Sequence, residues 1–487
     1  MGLLKKILFT LIAGCIVITL DGQIMWDQPI DMAAAHFDNN HPRITTDRAG
    51  NPMAIWGKVN DVQFTRWNGT AFTQPVKLNP GTVTTANADW MGPDIATHGD
   101  TVYVVYKQTP ENLTTSHIWC MRSFDGGVSF DAPVRVDFTG DSLTRFPAIT
   151  TDAIGNPIIA FMKFNPTFGE ARWAVTRSDD FGATFSADVK ASGWSGPSSY
   201  VCDCCPGTIV CSGDVVSVIY RDNNINIRDN WAAVSTDGGR SFTGGINVDQ
   251  ENWFLQNCPA SGPDGVIVGD TLYTISMNGG NIDELVYYNK ASLTDMSCPP
   301  AAPVTDYIFG LLQNYPRMAN YGTAVAMLWR HSMNASSQLG LRFTSDIAEG
   351  FPASYDTVAL TNVINADVAL SKDKVYVVWQ DNISGTVKYK SGTYETRTGI
   401  EDQSQISGLK VYPNPSDDVW TISGSASTGI VTVQLMDVNG KIISTKKVAS
   451  NSGQFQCSFV NADLPIGVYV VKVSDGRNEG LRKVVKN

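Results

Sequence analysis

The chain has 487 residues, 43% of them hydrophobic and 17% charged, with 43 glycines and 23 prolines. That is a globular composition rather than a disordered one, and the length accommodates a large repeat domain plus a small one. The net charge of −11 excludes a basic nucleic-acid footprint, so no nucleic-acid partner is expected.

The opening residues, MGLLKKILFTLIAGCIVITLDGQ, place Lys5 and Lys6 ahead of an apolar run of 14 residues, Ile7 to Leu20. The run is short for a membrane span and fits a secretory signal over residues 1–22, so no transmembrane segment is expected in the mature chain. LIAGC at Cys15 also carries a lipoprotein-box reading. Signal removal leaves eight of the nine cysteines in an oxidising compartment, where disulfides are the default.

Residues 24–395 repeat a unit of about 50 residues. Each unit has a proline or small residue, a short apolar strand, a Gly or Asp turn and a strongly apolar strand: HPRITTDRAGNPMAIWGK, MGPDIATHGDTVYVVYK, FPAITTDAIGNPIIAFMK, CPGTIVCSGDVVSVIYR, SGPDGVIVGDTLYTISMN, YPRMANYGTAVAMLWR and NADVALSKDKVYVVWQ. Further strands follow in most units. Four strands per repeat predict an all-β fold with a β-propeller, seven blades by this count and six as the alternative.

Three units share S-x-D-x-G-x-x-F between their last two strands: Ser123, Asp125, Gly127 and Phe130; Ser178, Asp180, Gly182 and Phe185; Ser235, Asp237, Gly239 and Phe242. SDIAEGF at Ser345 is a degenerate copy. A carboxylate that accepts turn N–H groups, a glycine and an aromatic plug describe a structural hairpin turn. The pattern resembles the Asp-box (BNR) repeat of sialidase-like propellers, whose classical members have six blades. QIMWDQPIDMA at the start of the mature chain is similar to the outer strands TQPVKLN and DAPVRVD, and is expected to complete the last blade and so close the ring.

After Glu395 the chain becomes polar and poor in strands, so residues 396–408 read as a linker. Residues 409–487 alternate apolar and polar positions around an Asn439-Gly440 turn, which predicts a small antiparallel β-sandwich. YPNP at Tyr412–Pro415, the Asp437–Lys441 segment, LPIGVYVVKV and the basic end resemble the type A C-terminal sorting domain of the type IX secretion system of Bacteroidota. The resemblance implies export across the outer membrane, with the type IX machinery as a partner and release or surface anchoring as the outcome.

Propeller topology brings the starts of first strands and the ends of second strands together on the top face. The second-strand ends read Lys58, Lys107, Lys163, Arg221, Asn278, Arg330 and Gln380, and the first-strand starts add Arg43, Arg145 and Arg317. Such a set predicts a positive mouth for an anionic ligand, with arginine forks suited to a carboxylate. Nearby acids, Asp61, Glu170, Asp222 and Asp381, offer the alternative that the cations are paired. The sialidase resemblance implies an arginine triad from Arg43, Arg221 and either Arg317 or Arg330, with Asp61 as acid/base. Lys58, Lys107, Lys163 and Arg145 would add ligand contacts. The family's glutamate has no counterpart, since VCDCCPG occupies its place; Glu170 and Glu284 do not match the motif. Tyr200, Tyr315 and Tyr321 are open alternatives for the nucleophile.

Cys202, Cys204 and Cys205 in VCDCCPG, and Cys258 in QNCPASGP, fall in successive top-face crossings. They are expected to form disulfides, with one from the cysteine-rich loop to Cys258 as an example. The alternative is a thiolate site for a soft metal such as copper or zinc, with His41 or His331 as a further ligand; no other cofactor is expected. A group of bacterial BNR-repeat proteins is similar in its Cys-Cys-Pro run, YRDN (here Tyr220–Asn223) and CP..GP (here Cys258–Pro263). Three functions stay open. The chain binds an acidic glycan or glycoprotein on its top face, with or without glycosidase activity, or is a non-catalytic adhesion propeller, or is a metal-dependent enzyme centred on the cysteines.

Overall fold

The computed structural model describes residues 24–394, 406 and 408–487, except 139, 141, 197–198, 281–283, 334–335, 427–428, 438–440, 452 and 476–477. The expected signal segment, nearly all of the expected linker and the Asn439-Gly440 turn lie outside the described residues. The chain divides into two compact units, residues 1–396 and 397–487.

Unit one contains seven antiparallel sheets in chain order. The inner strands of blades 1 to 7 are Asn39–Thr46, Asp94–His98, Leu143–Thr151, Thr208–Ser212, Asp264–Val268, Leu312–Tyr321 and Val363–Leu370. Each inner strand pairs with the strand that follows it, and the sheets build outward from there. The second strands, such as Thr101–Lys107 and Pro157–Phe164, are buried almost throughout. They lie between neighbouring sheets on both faces, which is why they read as unbroken apolar runs rather than alternating ones. Seven apolar clusters fill the interfaces between successive blades, including blade 7 against blade 1. Seven sheets with seven such interfaces make a closed seven-bladed propeller.

Closure uses the start of the described chain. Met25–Trp26 and Ile30–Asp31 pair with the third strand of blade 7, Met25 opposite Thr393 and Ile30 opposite Tyr389. Lys388 Nζ bonds Asp31 Oδ1 at 2.6 Å, and Trp26 Nε1 bonds Asp356 Oδ2 of blade 6 at 3.0 Å.

The three S-x-D-x-G-x-x-F segments fold alike. In each, the serine Oγ donates to the aspartate at 2.7 Å, and the glycine N–H donates back to that Oγ at 2.8–2.9 Å. The aspartate also holds Ser129, Thr184 or Ser241 through backbone N–H and hydroxyl. These bonds, led by the Thr184 and Ser241 hydroxyls, pull the Asp180 and Asp237 carboxyls down to about 2. Gly127 sits at φ +77°, and a Cβ there would collide with the Phe64 ring of blade 1, against which Phe130 also packs edge-on. The turns therefore join neighbouring blades at the bottom face. The degenerate copy at Ser345 forms a short 3-10 helix, Ile347–Glu349, capped by Asp346.

Unit two is a β-sandwich. Lys410–Tyr412, Val419–Ser425 and Gln454–Val460 form one sheet; Ile442–Ala449, Ile430–Asp437, Gly467–Ser474 and Glu479–Lys486 form the other. Trp420, Ile422, Val433, Leu435 and Val471 fill the core between them.

Candidate functional site

The axis of the propeller is built from one tripeptide phase repeated seven times: His41-Pro42-Arg43, Gly92-Pro93-Asp94, Phe146-Pro147-Ala148, Cys205-Pro206-Gly207, Gly262-Pro263-Asp264, Tyr315-Pro316-Arg317 and Asn365-Ala366-Asp367. Its third positions give two arginines and three aspartates. Each aspartate accepts a backbone N–H from the next blade: Asp94 from Ile149, Asp264 from Met318 and Asp367 from Ile44, at 2.9–3.0 Å. Arg317 Nε lies 2.8 Å from Asp367 and 3.3 Å from Asp264, and Arg43 Nε lies 4.0 Å from Asp94. Arg43 Nη2 also meets His41 Nε2 at 2.6 Å. Burial, then the Arg317 charge, brings Arg43 down to about 10. Burial followed by both guanidiniums holds His41 well below its usual range, so it is neutral and accepts from Arg43. Burial opposes the Arg317 charge, but the carboxylates of Asp264, Asp367 and Asp94 outweigh it and raise the pKa. The axial cavity, whose lining includes His41, Arg43, Asp94 and Arg317, has a volume of about 60 Å³. That holds a few waters, whereas small-molecule pockets run to about 300–1,000 Å³.

Most of the expected ring of free cations is therefore committed to partners within the propeller, although Arg330 Nε has none among the described residues. Arg145 makes a two-pronged pair with Glu111 at 2.9 and 3.0 Å and covers the Phe146 ring. Lys163 pairs with Asp188 at 2.7 Å. Buried Lys107 donates to the Ser116 carbonyl and to Thr144, and burial lowers it to about 8. Arg330 lies over the Tyr315 ring and donates to the Val363 carbonyl. Arg221, 1% exposed, donates to the Ser261, Arg228 and Met277 carbonyls and covers Trp253. Only Arg43 and Arg317 of the proposed triad line the axial cavity. Lys58 is half-buried at the second-strand end of blade 1. Asp61 is directed to the outer strand, bonded to Lys77 at 2.8 Å and to Asn79 at 3.2 Å, and is not among the axial residues. Of the tyrosines, Tyr315 lines the axial cavity, while Tyr200 and Tyr321 are exposed. Glu170 and Glu284 do not line it.

The cysteines do converge. Cys204 and Cys258 form a disulfide. Cys202 Sγ lies 3.3 Å from Cys205 Sγ and 3.8 Å from both Cys204 and Cys258; Cys205 Sγ lies 3.8 Å from Cys258. Tyr200–Val201 pairs with Asn223 and Asp222 and so fixes the start of the loop. Gly262 admits the second loop, because a Cβ there would collide with the Pro206 carbonyl. Arg228, from the loop before the third strand of blade 4, places Nη1 2.9 Å from Cys202 Sγ. The Cys205 hydrogen bond comes first, with Arg228 and Arg221 acting against burial, to bring Cys202 down to about 7; burial pushes Cys205 up. His41 is committed to Arg43, and His331 lies in blade 6, so neither joins this cluster.

His331 instead lines a groove of about 540 Å³ on the top of blade 6. The groove runs between the loop that precedes blade 6, with Asp306, Ile308 and Leu311, and the outer edge, with Ala353, Tyr355 and Leu360. Arg342 forms part of its wall and donates to the Ala353 carbonyl at 2.5 Å. Its Nε and the Ser337 hydroxyl are buried without a hydrogen-bond partner among the described residues, while the His331 ring is hydrogen-bonded to Gln338. The Tyr355 ring is edge-on to Trp329 and His331. No motif marks these residues in the sequence.

Residues 410–487 match the secretion system C-terminal sorting domain family. The C-terminal unit is a type IX sorting domain. The sorting domain marks the chain for export to the cell surface or beyond. Among the described residues no helix is long and apolar enough to cross a membrane. No curated protein shows significant sequence similarity to the chain. Similar solved structures include a Dyadobacter fermentans protein of unknown function, 11% identical over 76% of this chain and 99% of that one, with a TM-score of 0.47. The α-L-arabinofuranosidase Arb93A of Fusarium graminearum is 12% identical over 68% and 98%, with a TM-score of 0.42. Trypanosoma rangeli sialidase is 9% identical over 93% and 84%, with a TM-score of 0.43. At these identities and scores no function passes from them to this chain.

Proposed function

We propose that this is an exported, non-catalytic recognition propeller that binds an acidic glycan in the groove on blade 6. The observation that carries the reading is the contrast between the axial cavity and the groove on blade 6. The axis holds about 60 Å³, and its charges are spent on each other and on backbone N–H groups. The groove offers about 540 Å³, an aromatic wall at Tyr355 and unmet hydrogen-bonding groups on Arg342 and Ser337. Buried polar groups without partners are rare in native proteins and favour a ligand that supplies them. A sugar face packs on an aromatic ring, its hydroxyls serve Ser337, and the Arg342 fork suits a carboxylate. The sorting domain brings such a site to the outside of the cell.

The test is to probe the full chain against an array of sialylated and uronate-bearing oligosaccharides, beside Tyr355→Ala. The reading expects binding without turnover, lost in Tyr355→Ala. Hydrolysis of a sialoside, or binding unaffected by Tyr355→Ala, contradicts it.

A further inference from the structure

A structural disulfide needs two sulfurs, yet four converge here. All four Sγ atoms lie within 4.8 Å of one another, with three of the separations at 3.8 Å. A tetrahedral thiolate site with metal–sulfur bonds of about 2.3 Å has sulfur–sulfur edges of about 3.8 Å. Cys202 and Cys205 are fully buried, so their sulfurs face the cluster rather than solvent.

Charge points the same way. Arg221 and Arg228 are both buried, and among the described residues neither has a carboxylate within ion-pair distance. Asp249 feels the Arg221 field only at longer range, its carboxylate bonded to Asn230 and Asn278. Backbone carbonyls fix both guanidiniums in place, and Arg228 directs its Nη1 at Cys202 Sγ. Two buried cations next to neutral disulfides would lack counter-charge, a costly state. A divalent ion held by four thiolates carries two negative charges, which the two guanidiniums balance.

We propose that Cys202, Cys204, Cys205 and Cys258, in their reduced form, hold one thiophilic divalent metal ion of the zinc class, with Arg221 and Arg228 as its charge partners. Loading releases four protons as four thiols become four metal-bound thiolates. The Cys204–Cys258 disulfide uses two of the same sulfurs, so disulfide and ion are alternative states of one site. The proposal is independent of the groove on blade 6.

The full chain, reduced with a phosphine and shown to be folded by circular dichroism, is titrated with Zn2+ and separately with Co2+. The expected result is one ion per chain, with the visible absorption of tetrahedral Co2+ and the thiolate charge-transfer band. Cys202→Ser and Cys258→Ser should each abolish that spectrum, while Cys120→Ser and Cys211→Ser leave it intact. Arg228→Gln, which keeps all four thiols, should weaken Zn2+ binding about tenfold, as the loss of an outer-shell partner does. Cys258→Ser changes an exposed position and so tests the ligand set where Cys202→Ser does not fold. A folded, reduced chain that takes up neither ion overturns the proposal. So does a Co2+ spectrum unchanged in Cys258→Ser, or a Cys202–Cys205 disulfide in the isolated protein whose reduction yields no metal binding.

Discussion

Asp367 Oδ2 accepts the backbone N–H of Ile44 at 2.9 Å, across the junction where blade 7 meets blade 1. The same carboxylate holds Arg317 of blade 6 through Oδ1 at 2.8 Å. One buried side chain thus ties three blades at the axis, and Asp94 and Asp264 repeat the backbone bond elsewhere in the ring.

Asp367→Ala is accordingly expected to cost about 3 kcal/mol of stability, because it leaves a buried guanidinium and a backbone N–H short of a partner. Guanidinium-chloride unfolding of the full chain measures it. A loss near zero would mean that the carboxylate is not a brace and is free for other work.

The serine–aspartate turns give a pH signature. The Asp180 and Asp237 carboxyls sit lower in the folded chain than in the unfolded one. Their stabilisation is therefore complete above about pH 4 and is lost as the pH falls towards about 2. Asp237→Asn should lower the melting temperature by the same amount at about pH 7 and about pH 5, with the difference closing towards about pH 2. A difference that grows on acidification contradicts the assignment.

Gly262 sets how closely the two cysteine loops approach. A methyl group at this position has the Pro206 carbonyl in its way. Gly262→Ala should push the Cys258 loop outward and reduce the fraction of chains with the Cys204–Cys258 disulfide, read by non-reducing peptide mapping. A wild-type fraction would show that the loops meet without this contact.

The fold was legible because propeller strands announce themselves locally. Apolar second strands, S-x-D-x-G-x-x-F turns and the MWDQPID segment each carry their role in a few residues, and the blade count and the ring closure follow from them. The axis was half legible. Arg43 and Arg317 stand out, but Asp94, Asp264 and Asp367 occupy the same phase of the repeat, and reading that phase as one column would have shown the compensation. Pairing partners such as Glu111 for Arg145 and Asp188 for Lys163 lie 25 or more positions away in the chain, so acids close in sequence were the wrong ones to weigh. Asp61 was misjudged because a carboxylate beside a top-face turn can point outward as readily as inward, and Lys77 draws it out. The convergence of the four cysteines was legible from blade spacing, whereas Arg228 was not singled out, although NIRDN follows YRDN closely. The groove on blade 6 leaves no motif, since it arises from packing between loops and an outer edge.

The most direct test of the account is calorimetric titration of the full chain with a carboxylated oligosaccharide selected from the array, comparing Arg342→Gln with Arg43→Lys. Arg342→Gln is expected to abolish binding, while folded Arg43→Lys binds as the wild type does. Binding lost in Arg43→Lys and retained in Arg342→Gln would place the ligand at the axis and contradict it.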